Sequence, residues 1–209
     1  MEIVPVTTKR YFGLKVCERL LLNKGGMKML FFSAEVFFFL NLAFGNNRND
    51  EACRKCSCFT YYHGYSVNCS NRWLHSVPDG IPPNVTKLNL SRNYLSALSE
   101  DLFMRLRNLV VLDLSVNSIT NISKGCFAYN VRLKKLDISE NQLTDLPSGL
   151  LFNNHDLKTI LFKKNSLRNI PETIFANIPN LTHVDISHDN CLQELPPGLL
   201  FNNHYLITM

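Results

Sequence analysis

The stretch NVTKLNLSRNYLSALSEDLFMRLRNLVVLDLSVN, residues 84–117, holds one full unit of a repeat and the start of the next. Apolar residues recur 24 positions apart, and a second apolar series lies two positions after the first. The first series is Leu88, Leu112, Leu136, Ile160 and Val184, and the second is Leu90, Leu114, Ile138, Phe162 and Ile186. Such a period predicts a solenoid, because no single unit can bury its own apolar face and neighbouring units must cover it.

Each unit follows the pattern LxxLxLxxNxLxxL. The LxL segment predicts a short strand with both apolar side chains pointing inward and the residue between them pointing outward. An asparagine at the bend after the strand can donate to and accept from backbone groups that the turning chain leaves unpaired. The asparagines at this position are Asn93, Asn117, Asn141, Asn165 and Asn190, the last displaced by one residue because we take Asp189 as an insertion. We therefore expect five parallel strands with buried asparagines at their bends.

Residues 84–117 resemble the 24-residue typical repeat of Toll-like receptors, Slit proteins and variable lymphocyte receptors. The resemblance implies an α/β repeat fold, a right-handed leucine-rich-repeat solenoid or horseshoe with short parallel strands on its concave face. The outward residues of those strands then form the expected ligand-binding surface.

A cysteine-rich segment precedes the repeats. Cys53-x2-Cys56-x-Cys58, with Cys69 further on and LHSVPDGIPPNVTKLNL at 74–90, resembles the N-terminal cap of the same families. The resemblance implies disulfides Cys53–Cys58 and Cys56–Cys69, whereas four cysteines by themselves allow three connectivities. A zinc site is the competing interpretation, and export to an oxidising compartment disfavours it.

The residues before the cap have the layout of a secretory signal. An apolar run of 15 residues, Leu30–Phe44, follows Lys24 and Lys28, and small residues at Ala43 and Gly45 suit signal peptidase. We therefore interpret residues 1–45 as a leader that is removed near Gly45, with residues 1–26 as a mis-assigned upstream extension. The alternative is an uncleaved type II anchor, which delivers the rest of the chain to the same side of the membrane.

The remaining sequence divides into a linker and cap at residues 46–83 and repeats at residues 84–209. The repeats comprise five units and the start of a sixth, without a second cysteine-rich cap. We expect from this an open edge with Leu199, Leu200 and Leu206 exposed, in a chain that is part of a longer gene product.

Charge and motif content argue against two other classes of protein. The formal charge is +5, but residues 46–209 hold 16 of the 22 basic and 14 of the 17 acidic residues, so we expect no nucleic-acid partner. We see no catalytic arrangement or phosphate loop and expect neither an enzyme nor a cofactor. His183 and His188 lack a third ligand, and we assign no metal to them.

Three asparagines are candidate glycosylation sites, because each begins an Asn-x-Ser/Thr sequon. They are Asn84, Asn121 and Asn180. Asn68 and Asn89 also match the sequon, but Asn68 precedes a cysteine of the cap and Asn89 lies between two inward leucines.

The fourth unit departs from the others on its outward side. It carries Leu161 where the other units have Asn89, Asp113, Asp137 and Asp185, and Lys163-Lys164 where the other units have Ser followed by a varied residue. An outward leucine beside lysines is a plausible contact. Our candidate ligand-binding residues are Leu161, Lys163, Lys164, Lys135, Asp137, His183 and Asp185.

Extracellular recognition is the function that these features predict. The chain is expected to bind an extracellular protein or glycan ligand on the concave face, as a secreted binder or part of a receptor in adhesion, guidance or innate immunity. The alternative is a structural matrix protein resembling small leucine-rich proteoglycans. We expect a secreted protein or one on the extracellular side of the plasma membrane, with membrane contact only through an uncleaved anchor or a missing C-terminal region.

Overall fold

The computed structural model describes residues 7–11, 14–22, 28–31, 51–62, 64–188 and 191–207. The chain divides into two units, Met1–Asn46 and Asn47–Met209. In the first unit, strands β1 (Thr7–Tyr11), β2 (Leu14–Leu22) and β3 (Lys28–Phe31) form an antiparallel sheet in that order. Most of the predicted signal run lies outside the described residues, and so do Asp189 and Asn190. The leader and the insertion stay predictions.

The described residues of the second unit form a short helix and nine strands. They are α1 (Ala52–Lys55), β4 (Ser57–Tyr61), β5 (Gly64–Asn68), β6 (Val85–Asn89), β7 (Ala97–Leu98), β8 (Val111–Asp113), β9 (Asn121–Ile122), β10 (Lys135–Asp137), β11 (Thr159–Leu161) and β12 (His183–Asp185). Seven of these strands form one sheet in the order β12-β11-β10-β8-β6-β5-β4. Strand β4 is antiparallel to β5, and every other neighbouring pair in this sheet is parallel. The predicted leucine-rich-repeat solenoid is confirmed.

Strands β6, β8, β10, β11 and β12 begin turns one to five of the solenoid. The two apolar series point inward as predicted, because alternate residues of a strand face opposite sides. Leu136, for example, is fully buried between Leu112 and Ile160, its register partners on the neighbouring strands. Full burial of such a side chain stabilises the fold by roughly 1.5–3 kcal/mol.

The asparagines at the bends form a buried ladder. The amide nitrogen of Asn141 donates to the carbonyls of Leu114 and Ile138, and its Oδ1 accepts from the Ile119 N–H at 3.0 Å. Asn93, Asn117 and Asn165 make the corresponding bonds in their own turns. The predicted structural role of these asparagines is confirmed within the described part of the chain.

One residue of each bend has a positive φ although none of them is glycine. The residues are Arg92, Val116, Glu140, Lys164 and His188, with φ between 53° and 58°. The left-handed conformation is costly for residues with a Cβ. In this conformation the Glu140 N–H donates to the Lys163 carbonyl of the next turn, so stacking of the turns holds the conformation.

The convex side consists of successive tight turns closed by bonds from residue i to residue i−3, such as Leu106 N to Phe103 O. A second set of asparagines is buried here, Asn130, Asn154 and Asn203. Asn130 donates to Phe103 O and Leu106 O of the turn before it. The sequence did not reveal this set, because apolar residues hold the equivalent position in turns one and four.

The cap covers one end of the core. Disulfides join Cys53 to Cys58 and Cys56 to Cys69, the same pairing that the resemblance implies. Cys69 is fully buried and its N–H donates to Asn89 O, so the cap continues the backbone ladder of turn one.

The last turn differs from our expectation in part. Leu199 is buried, so its expected exposure was wrong, and Leu200 and Leu206 are half-buried against the core. The Ile207 N–H donates to Thr182 O at 2.8 Å, which continues the backbone ladder from the end of turn four to the end of turn five. By contrast Leu195 is 41% exposed, because the last turn has a neighbouring turn on one side only.

Within the described segments, no helix combines the length and hydrophobicity that a bilayer crossing requires.

Candidate functional site

The parallel register aligns the outward residues of the strands into two rows on the concave face. The first row is Lys87, Val111, Lys135, Thr159 and His183, and the second row, two residues further along each strand, is Asn89, Asp113, Asp137, Leu161 and Asp185. Basic groups thus concentrate in the first row and carboxylates in the second. Five of the seven predicted ligand-binding residues lie in these rows on three adjacent strands.

The acidic side chains of the second row also stabilise their own bends. Asp137 Oδ1 accepts from the Ser139 N–H at 3.0 Å, and Asp185 Oδ1 accepts from both the N–H and the hydroxyl of Ser187. Asn89 and Asp113 make the same contacts with Ser91 and Ser115. One oxygen of each carboxylate therefore stabilises the bend that follows it.

The environment of Asp185 favours its charged form. Burial by itself would raise the pKa of this carboxyl, but the hydrogen bonds from Ser187 and the charges of Lys163 and His188 outweigh burial and lower the pKa below its ordinary value. Lys163 therefore lies close enough to Asp185 to act on its charge. Asp185 stays ionised at neutral pH.

The fourth turn lacks the aspartate–serine contact, because leucine cannot accept a hydrogen bond. Leu161 is half-buried and lies between Asp137 and Asp185, its register partners on either side. The bend that follows holds Lys163 in place of serine. Turn four therefore interrupts the acidic row with an apolar surface that has a carboxylate on each side.

Lys164 lies apart from this group. It occupies the left-handed position of the bend, and its Nζ is 3.5 Å from Glu140 Oε1 of turn three. Both side chains are more than 40% exposed, so this ion pair adds little stability. Lys164 lies on the flank rather than in the concave rows.

The cap adds an aromatic contact to the concave face that sequence analysis missed. The Tyr61 ring lies 4.8 Å from Lys87 Nζ, and its hydroxyl is hydrogen-bonded to Thr86 Oγ1 at 3.0 Å. Tyr61 belongs to the antiparallel strand β4, which lies outside the 24-residue period. No repeat pattern in the sequence points to it.

The three predicted glycosylation sites have exposed side chains. Asn84 and Asn180 lie in turns, and Asn121 begins the short strand β9. By contrast, Asn68 and Asn89 each accept a backbone N–H through Oδ1. Attachment of a glycan at Asn84, Asn121 and Asn180 stays a prediction.

The predicted histidines have local partners. His183 Nδ1 is 2.8 Å from Thr182 Oγ1, and His188 Nδ1 is 2.7 Å from Ser187 Oγ. Among the residues that the structure describes, no group of three or more His, Cys, Asp or Glu side chains is placed to hold a metal ion.

Comparison with known proteins gives one family and several partial relatives. A model of the leucine rich repeat matches residues 83–143 and 131–192, which together make up more than half of the chain. Mouse immunoglobulin superfamily member 10 is 45% identical over 56 residues, 27% of this chain and 2% of that protein. Mouse Toll-like receptor 7 is 42% identical over 43 residues, 21% of this chain and 4% of that receptor.

A shorter relative is the human immunoglobulin superfamily containing leucine-rich repeat protein, 44% identical over 54 residues, 25% of this chain and 13% of that protein. The chain thus spans only a small part of the length of these relatives.

Proposed function

This chain belongs to the leucine-rich repeat family, and we propose from that premise that its solenoid recognises another protein outside the cell. Leucine-rich repeats generally bind other proteins. Similar segments occur in mouse Toll-like receptor 7 and in mouse immunoglobulin superfamily member 10. A cap closed by two disulfides supports export, because such bonds persist in oxidising compartments.

The observation that carries the proposal is the interruption of the acidic row at Leu161. An apolar side chain with a carboxylate on each side offers a contact that excludes water, while Asp137 and Asp185 set the register of the partner. Lys135 and His183 of the first row lie on the same strands as these two carboxylates, β10 and β12. We therefore place the partner on strands β10 to β12 of the concave face.

A comparison of two variants tests this placement. The secreted chain is screened against extracellular protein domains, arrayed glycans and collagen fibrils, and the affinity of each partner is measured for the parent chain, Leu161→Asp and Val131→Asp. Leu161→Asp should weaken binding by about tenfold, because apolar contact is lost and a fourth carboxylate joins the acidic row. Val131, half-exposed on the convex side, supplies the matched control and should bind like the parent.

Equal affinity of a folded Leu161→Asp chain would place the protein partner on another surface. Binding only to arrayed glycans would contradict a protein partner. Binding only to collagen fibrils would favour the matrix alternative.

A further inference from the structure

We propose that the flank beside the cap and turn one is a second binding surface, which recognises an extended acidic segment of a partner protein. We call this surface the aromatic flank and define it by Arg72, Trp73, His75, Arg92 and Tyr94. It lies at the bends that follow strands β5 and β6, outside the concave rows.

Three rings form a continuous exposed platform. Trp73 is 72% exposed, and its ring centroid lies 5.9 Å from that of Tyr94, which is itself 43% exposed. The His75 ring stacks on Tyr94, with ring centroids 5.3 Å apart. Exposed tryptophan and tyrosine are enriched at the energetic centres of protein interfaces, because they offer a large contact area at a small cost in conformational entropy.

The backbone holds Trp73 outward in a strained conformation. Its φ is 60°, which is rare for a bulky side chain. Asn93 Oδ1 accepts hydrogen bonds from the N–H groups on both sides of it, Arg72 and Leu74, each at 3.0 Å. The Tyr94 N–H donates to Leu74 O at 2.8 Å. A buried asparagine of the ladder thus fixes the loop that presents the tryptophan. Binding of a partner therefore costs little conformational entropy in this loop.

Positive charge adjoins the platform. The Asn71 N–H donates to Ser91 O at 3.0 Å, which aligns the two bends and places Arg72 and Arg92 on neighbouring turns. Both arginines are exposed, and within the described segments neither lies within ion-pair distance of a carboxylate. Uncompensated guanidinium groups next to aromatic rings favour a partner that supplies carboxylates.

A small polar pocket extends the surface toward the cap. It has a volume of about 370 Å³ and is lined by Arg72 together with Ser57, Asn68, Ser70 and Asn71. Arg72 Nη2 lies 3.4 Å from Ser57 Oγ at this pocket. An acidic side chain entering it would meet a guanidinium and several hydrogen-bond donors.

The repeat itself does not require these residues. The positions equivalent to Tyr94 in turns two, three and four are Ser118, Gln142 and Ser166, and the positions equivalent to Arg92 are Val116, Glu140 and Lys164. The stacking of turns therefore tolerates small or acidic side chains there. We conclude that the cationic and aromatic character is particular to the cap end and serves a partner.

Intrinsic fluorescence gives a direct test, because Trp73 is the single tryptophan of the chain. The whole chain is titrated with a short synthetic peptide of repeated Glu-Glu-Pro units, whose prolines can cover the rings. A matched peptide has Gln in place of Glu. We expect a saturable change in tryptophan emission with the glutamate peptide, weakened by added salt, and about tenfold weaker binding of the glutamine peptide.

Two charge variants complete the design. Arg92→Glu should weaken the glutamate peptide by about tenfold, and Arg92→Gln, which keeps the exposed polar character, should weaken it by a smaller factor. Lys134→Glu makes the same charge reversal just before strand β10, which begins turn three, two turns away from the aromatic flank, and should bind like the parent chain. Far-ultraviolet circular dichroism and the melting temperature confirm that each variant is folded.

Three outcomes would overturn the proposal. The first is no saturable emission change with the glutamate peptide. The second is equal affinity for the two peptides, or equal affinity of folded Arg92→Glu or Arg92→Gln and the parent chain. The third is saturable binding of a heparin oligosaccharide without binding of the glutamate peptide, which would assign the surface to sulfated glycans.

Discussion

At the scale of single residues, the bends depend on the chemistry of one side chain. A carboxamide offers two N–H donors and one carbonyl on a short stem, so Asn141 can bond to turn two and to its own turn together. Aspartate has the acceptor without the donors, and alanine has neither. The ladder is therefore a specific requirement at each bend rather than a preference for a polar residue.

Replacement of Asn141 by alanine should lower the free energy of unfolding by about 2–4 kcal/mol, because buried backbone groups of two turns lose their partners. Urea unfolding monitored by circular dichroism measures this free energy of unfolding. Gln142→Ala, at the exposed neighbouring position, is the control and should change stability by less than about 0.5 kcal/mol. Equal stability of the two variants would show that water replaces the asparagine.

Cys126 shows how burial controls a reactive group. Desolvation raises the pKa of its thiol from 9.0 to about 12, so the folded chain holds this proton more tightly than the unfolded chain does. The stability that this group contributes is thus present below pH 9 and is lost as the pH rises from 9 toward 12.

We expect Cys126 to resist alkylation by iodoacetamide at pH 8 in the folded chain and to react in urea, because the thiolate is the reactive form. A Cys126→Ala chain should lose less stability between pH 9 and pH 11 than the parent does. Mass spectrometry of labelled peptides and urea unfolding at each pH give the two results. Rapid labelling of the folded parent would disprove the buried thiol.

At the scale of elements, the cap adds an antiparallel hairpin to the parallel strands of the repeats. Strand β4 runs antiparallel to β5, and Gly64, the first residue of β5, has a φ of 147°. A Cβ at Gly64 would collide with the Thr86 side chain, whose hydroxyl donates to Tyr65 O at 3.1 Å. A glycine is thus needed where the hairpin of the cap packs on the first strand of the repeats.

Secreted material should contain the disulfides Cys53–Cys58 and Cys56–Cys69. Peptide mapping without reduction identifies both bonds, and the same map locates the N-terminus, which the leader interpretation places near Asn46. Four alkylatable thiols in the folded cap would contradict the pairing, and intact residues 1–45 would support the anchor. Loss of one disulfide should cost about 2–5 kcal/mol, because it closes the end of a small core.

At the scale of the whole molecule, stability follows from the contacts between neighbouring turns. Strands β8 and β10 each have a hydrogen-bonded neighbour on both sides, whereas strand β12 of the last turn has a neighbouring strand on one side only. Phe201 is 82% exposed and Ile207 is 73% exposed in that last turn. The solenoid is thus a series of units with unequal local stability.

Hydrogen exchange should be slowest in strands β8, β10 and β11 and should become faster beyond Val184. The physical reason is that local opening of the last turn breaks contacts with one neighbour, whereas opening of a central turn breaks contacts with two. Exchange followed by mass spectrometry resolves the turns. Uniform protection to Leu206 would show that the last turn is as stable as the centre.

The sequence by itself determined the repeat, the inward positions and the asparagine ladder. Residues two apart on a strand share a face, and residues 24 apart lie on adjacent strands, so the pattern specifies both the local structure and its stacking. It also identified turn four as the place where the outward row changes. These features depend on spacing along the chain, which a sequence displays directly.

Only the tertiary structure decided how side chains from different turns and from the cap meet. The left-handed bends and the contact of Tyr61 with Lys87 depend on the register and direction of neighbouring strands. The aromatic flank also arises in this way, because Trp73 and Tyr94 lie 21 residues apart and the 24-residue period does not relate them. A hydrogen-bonded loop brings them together, and that contact exists only after the cap has packed on the first turn.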